Sequence, residues 1–150
     1  MSIIKMTAIV FLLSSVQFAQ ACSCARQPKY METAVTRAFN QADAVVFAHT
    51  IKKEETSVFD EMNQEYAYDA EITQFSIIKS WKGALTTEVK TKIITACCMC
   101  GMSFSHSGSY LLYLYGPDDD GYYSTSICSR TKLTEDDDPE IHILDQISLN

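Results

Sequence analysis

The chain has 150 residues, 47% hydrophobic and 21% charged, the composition of one globular domain and not of a disordered or fibrous chain. Its formal net charge is −7, from 19 acidic and 12 basic residues. That balance argues against nucleic acid or anionic lipid as a simple electrostatic partner, because both need clustered Lys and Arg.

Residues 1–21 have the layout of a secretion signal. Lys5 is the single charge, an apolar run extends from Met6 to about Val16, and Ala19-Gln20-Ala21 matches the small-x-small cleavage pattern. The run falls well short of the ~20 residues that span a bilayer, and no other stretch approaches that length. The expected product is an exported chain without a transmembrane segment, beginning at Cys22. Cleavage removes Lys5, leaving 11 basic residues against 19 acidic. A cysteine at that position also suits lipoprotein processing with an anchor on Cys22, although Gln20 fits that pathway poorly.

All six cysteines (Cys22, Cys24, Cys97, Cys98, Cys100, Cys128) follow the signal. An even count in an oxidising compartment reads as disulfides, and six cysteines allow 15 pairings between which spacing cannot choose. Pairs between the three cysteine groups close long loops. A cross-link over ~80 to 100 residues contributes about 4 to 5 kcal/mol in the chain-entropy model.

Along the chain, Met31, Val35, Ala38 and Phe39 have roughly helical spacing, which predicts a short helix within 26–40 and places Pro28 in or near its first turn. Residues 42–51 are dense in β-formers and read as a strand. Residues 52–64 are polar, with Val58 and Phe59 the large apolar exceptions, and read as a long exposed loop or extended hairpin. Residues 66–80 alternate as a long strand, with a bulge where the alternation slips at Ile77-Ile78. Trp81-Lys82-Gly83 closes that strand. Residues 88–96 form a third strand running into Cys97, and Tyr110–Tyr115 suits a central buried strand. Gly116 to Gly121 is a turn by composition, after which Tyr122–Cys128 is expected to complete a hairpin. Ile141, Leu144 and Ile147 predict a helix from Pro139, preceded by the acidic stretch Glu135–Asp138 that suits a helix N-terminus. About five strands in local order with a helix near each end favour a small closed or partly open antiparallel barrel.

Several of these patterns, taken in order, carry a resemblance: Cys22-Ser23-Cys24 at the mature start, Ala42-Asp43-Ala44-Val45-Val46-Phe47-Ala48, Phe75 to Ser80 leading into Trp81-Lys82-Gly83, Cys100-Gly101 followed by Phe104, Gly108 and Tyr110-Leu111-Leu112-Tyr113, and Cys128-Ser129-Arg130-Thr131. Together they resemble the netrin-like module, in particular the N-terminal domain of tissue inhibitors of metalloproteinases. The resemblance implies a mostly β fold, a five-stranded OB-like barrel whose N-terminus is pinned by disulfides over one domain, residues 22–150. It implies the pairs Cys22–Cys100 and Cys24–Cys128, with the partner of Cys22 left open among Cys97, Cys98 and Cys100. It further implies a secreted, monomeric inhibitor: the α-amine and carbonyl of Cys22 would chelate the catalytic zinc of a metalloprotease in trans, and Ser23 would enter its specificity pocket. The chain differs from the animal inhibitors in lacking their second cysteine-rich domain and a cysteine in the first helix region, and in carrying the adjacent Cys97-Cys98.

Three rival readings accompany this one. A non-inhibitory netrin-like binding module would share the scaffold. Cys97, Cys98 and Cys100 with Met102 and His106 offer thiolates and thioethers of the kind that favour Cu(I). Asp118-Asp119-Asp120 lacks the alternate spacing of a calcium loop and reads as a solvated hairpin tip. The sequence contains no zinc-protease helix motif, nucleophile elbow or phosphate loop, so no enzyme and no cofactor are expected.

Overall fold

The computed structural model describes residues 22–60, 65–95 and 100–149. Residues 1–21, where a secretion signal is expected, residues 61–64, residues 96–99 with Cys97 and Cys98, and Asn150 lie outside the described residues.

One antiparallel five-stranded sheet forms the body, with two short helices. Helix α1 (Met31–Gln41) precedes strands β1 (Ala44–Asp60), β2 (Glu65–Lys82), β3 (Glu88–Ile94), β4 (Ser109–Leu114) and β5 (Lys132–Leu133), and helix α2 (Pro139–Ser148) follows. The strand order is β3-β2-β1-β4-β5.

The period of two along β1 and β4 sorts the core into two layers. Val46 and Ala48 of β1 and Tyr110, Leu112 and Leu114 of β4 share one face with Phe75, Val89, Ile93 and Phe104. Phe75, Phe104 and Tyr110 meet edge to face, with ring centroids 4.9 to 6.0 Å apart, the arrangement the ring quadrupoles favour. Val45, Leu111 and Tyr113 point the opposite way and pack under Val35, Ala38 and Leu144 of the helices. Strand β4 is thus covered on both sides, which explains its unbroken apolar run.

Side chains fix the helices to the sheet. The ammonium of Lys82 donates to the carbonyls of Phe39, Asn40 and Ala42 at 2.9, 3.2 and 2.5 Å, capping an α1 whose last turn has no basic residue of its own. Asp145 of α2 accepts from the Trp81 indole at 2.6 Å and pairs with Lys79 at 2.6 Å. Helix α2 starts with Pro139 at its first turn and Asp138 as N-cap, whose carboxylate accepts from the Glu140 amide, the combination expected at a helix start.

The extended hairpin and the bulge match the expectation, and other elements differ in their limits. Pro28 lies before α1, which is preceded directly by Tyr30. Strand β1 runs on to Asp60, so residues 52–60 form one arm of an extended hairpin paired with β2 as far as Asp60–Glu65. Inter-strand pairing, not an apolar pattern, holds this polar segment. Pairing of Phe47 with Lys79 and of Ala48 with Ile77 passes over Ile78, placing a bulge where the alternation slips. Trp81 and Lys82 belong to β2, and the chain turns at Gly83, whose φ is +96°. Strand β3 ends at Ile94. The expected Tyr122–Cys128 strand is absent: Tyr123 makes a parallel bridge to Thr91 and Ser124 an antiparallel bridge to Tyr115. Its backbone is divided between β3 and the end of β4, so no continuous ladder forms, and the fifth strand is the short β5.

Candidate functional site

Cys22, Ser23 and Cys24 lie outside any helix or strand, with Cys22 half-buried and Ser23 and Cys24 exposed. Two disulfides hold this segment. Cys22 is joined to Cys100 and Cys24 to Cys128, with Cα–Cα separations of 5.5 and 5.1 Å. Neighbouring cysteines therefore run to two different loops, one after β3 and one before β5. The Ile127 amide donates to the Cys100 carbonyl at 3.1 Å and ties those loops together.

The loop carrying Cys100 is tightly set. Cys100 has φ +53°, a left-handed conformation that costs a non-glycine residue of order 1–3 kcal/mol. A side chain on the following Gly101 would run into the Ile94 carbonyl oxygen, so only glycine permits this approach to the end of β3. Beyond it, Glu71 of β2 is 4% exposed. Its carboxylate accepts from the Phe104 amide at 2.9 Å, the Ser103 hydroxyl at 2.6 Å and Thr73 at 3.0 Å, and pairs with Lys53 at 2.6 Å. Burial pushes Glu71 upward, but these donors together outweigh it and hold the carboxyl below its ordinary range.

The loop carrying Cys128 has the same kind of anchor. Glu140 of α2 is fully buried and accepts two bonds from the Arg130 guanidinium, each 2.7 Å long. It also accepts from the Tyr113 hydroxyl at 2.7 Å and pairs with Lys132 at 3.0 Å. Burial pushes Glu140 upward, and the bonds from Arg130, Tyr113 and Lys132 reverse that. Burial, with the adjacent Glu140 charge, pushes the Tyr113 phenol strongly upward, keeping it a neutral donor. Thr125, Ser129 and Thr131 join hydroxyls at 2.8 Å, and Thr131 accepts from the Tyr113 amide at 2.8 Å. Each disulfide thus lands within a few residues of a contact to a buried carboxylate, Ser103 and Phe104 to Glu71 after Cys100 and Arg130 to Glu140 after Cys128.

The other candidates are scattered. Cys100 is spent in a disulfide and offers no thiolate, Met102 packs against the sheet core, and His106 is exposed. No group of three or more His, Cys, Asp or Glu among the described residues is placed to hold a metal. Asp118 accepts from the amides of Asp120 and Tyr122 at 3.1 and 2.8 Å, which shapes the turn itself. His49 is within 3.1 Å of the Ser109 hydroxyl, and His142 lies exposed on α2.

The buried carboxylates Glu71 and Glu140 do not stand out in the sequence. Glu71 falls in a polar stretch of an alternating strand, and Glu140 sits in an acidic cluster that reads as a helix start. The one available signal is the Arg130 that follows Cys128 so closely. No protein-family model matches the sequence, and no match is found among curated proteins.

Proposed function

We propose that the chain is a secreted inhibitor of zinc metalloproteases, with a partly open OB-like barrel as scaffold and Cys22-Ser23-Cys24 as its working edge. The observation that carries this reading is the double tether: both cysteines of a three-residue segment with an exposed Ser23 are bridged to separate loops, themselves joined and held on the sheet. Such a segment has little freedom left to lose on docking. The barrel reading draws support from residues 123–124, which connect the β3 edge to the end of β4 in the manner of a strand closing a small barrel.

The chemistry follows from a chain cut before Cys22. A catalytic zinc keeps one position open for water or substrate. A neutral α-amine and the adjacent carbonyl oxygen displace that water as a five-membered chelate. An α-amine titrates near pH 8, so its deprotonation at neutral pH costs little. Ser23, small and exposed, enters the pocket beside the metal without a clash. Acetylating the α-amine of protein that starts at Cys22 tests this: inhibition of a metalloprotease panel should disappear. Equal inhibition by the acetylated form would overturn the chelate.

A second reading has its own support. Strand β4 pairs with β1 only from Ala44 to His49 and β3 with β2 only from Ala70 to Ser76, so the hairpin beyond Thr56 and Ala70 is a two-stranded arm bearing the exposed side chains of Phe59 and Tyr68. An arm of that kind suits a protein-binding module without inhibitory activity. Truncating it at Ser57 and Asp69, which spares Lys53, Glu71 and the part of β2 paired with β3, should abolish partner capture on that reading and leave zinc chelation intact on the first.

A further inference from the structure

The chain has three arginines, Arg26, Arg37 and Arg130, and all three line one pocket of about 110 Å³ beside the Cys24–Cys128 disulfide. Gln27, Gln41 and Ser129 complete its polar wall, and no Asp or Glu is among the described residues that line it. In so acidic a chain this convergence sets the pocket apart from the rest of the surface.

The charges around it do not cancel. Arg130 and Lys132 are matched by Glu140 and Asp138, which pair with them at 2.7 to 3.0 Å. Arg26 and Arg37 have no ion-pair partner among the described residues. Arg26 lies just past Cys24, outside any helix or strand, and Arg37 is one helical turn before Gln41 on α1. Arg130 is fixed by two bonds to Glu140 through Nε and one terminal nitrogen and also interacts with the Tyr113 hydroxyl, so the unmatched charge of the pocket is that of Arg26 and Arg37.

We propose that this pocket binds one compact oxyanion of the phosphate class. Two uncompensated guanidinium charges match a dianion, and guanidinium forks fit phosphate oxygens in pairs. The volume is that of a few water molecules, which suits a single phosphate group and is too small for a nucleotide. The side-chain amides of Gln27 and Gln41 add neutral donors, whereas the Ser129 hydroxyl already donates to the Ser126 carbonyl at 2.8 Å. The pocket adjoins the proposed edge at the Cys24–Cys128 disulfide but uses none of the Cys22 groups, and its test does not depend on inhibition.

The test titrates the disulfide-intact protein with sodium phosphate against sodium chloride at matched ionic strength, read by amide NMR. Phosphate should shift Ala25 to Gln27, Gln41 and Ser129 selectively, and the double variant Arg26→Gln/Arg37→Gln should bind at least tenfold more weakly. Both arginines are exposed, so the variant should fold, and Arg26→Gln alone provides a second, milder perturbation outside any helix or strand. A parallel arm with O-phosphoserine separates the sources: binding of inorganic phosphate alone points to the free ion, and binding of both points to a phosphomonoester. Equal shifts with chloride, undiminished affinity in both variants, or no binding of either probe below about 10 mM would overturn the proposal.

Discussion

Replacing Glu140 with Gln isolates one of the two carboxylates that hold the anchor loops. The substitution keeps the shape but removes the charge that Arg130 and Lys132 face at 2.7 and 3.0 Å. Taking one partner from a buried pair costs about 3–5 kcal/mol. The lower end applies because the Arg130 side chain is 20% exposed and Lys132 is 37% exposed, so both recover some hydration, and Lys132 keeps Asp138. With a urea slope of about 1.5 kcal/mol per molar, a loss of about 3 kcal/mol lowers the unfolding midpoint by about 2 M. The measurement is urea unfolding of disulfide-intact protein at pH 7. The pH dependence carries a second signature. The folded pKa of Glu140 lies below its ordinary 4.5, so its contribution is complete above that value and is lost as pH falls through the folded one. The wild type should therefore lose stability on acidification below about pH 4.5 more steeply than the variant, which retains Glu71 and Asp138 but lacks this group. A midpoint shift under about 0.3 M with an unchanged acid profile would refute the buried ion pair.

The tether and its loop give two further predictions. Cys24→Ser with Cys128→Ser releases a cross-link that spans 104 residues and should lower stability by up to about 4 to 5 kcal/mol; limited proteolysis should then cut first within residues 24–30, and intact resistance there would contradict the anchoring role. Gly101→Ala forces a methyl group into the Ile94 carbonyl and should cost about 1–3 kcal/mol, read as a lower thermal midpoint together with faster reduction of the Cys22–Cys100 bond; a variant with wild-type values for both would show that the loop yields freely.

Local signals carried much of the fold. Alternation marks β2 and β3, the unbroken apolar run of residues 110–114 marks a strand covered on both faces, and Pro139 behind Asp138 marks the start of α2. The polar half of β1 was ambiguous because residues 52–57 have no buried face, and only pairing with β2 makes them a strand. The segment after the Asp118–Asp120 turn has strand-like composition, yet Tyr123 and Ser124 serve different strands, a tertiary choice that composition does not record. Cys22-Ser23-Cys24 stood out as a candidate edge through the resemblance and its place behind the expected secretion signal. The carboxylates that steady its anchors did not, since Glu71 reaches Phe104 and Ser103 across 33 and 32 residues. Likewise Arg26, Arg37 and Arg130 come together only in three dimensions.

The central claim is that a free Cys22 amine does the inhibiting. Its most direct test compares protein beginning at Cys22 with protein carrying one added Ala before it, both with two disulfides verified by intact mass. Ala adds no charge and leaves both tethers in place, so unfolding curves should coincide. The added residue converts the amine into an amide nitrogen with no lone pair for zinc. Inhibition of a zinc-metalloprotease panel should be strong for the first protein and absent for the second; equal inhibition by both would contradict the chelate mechanism.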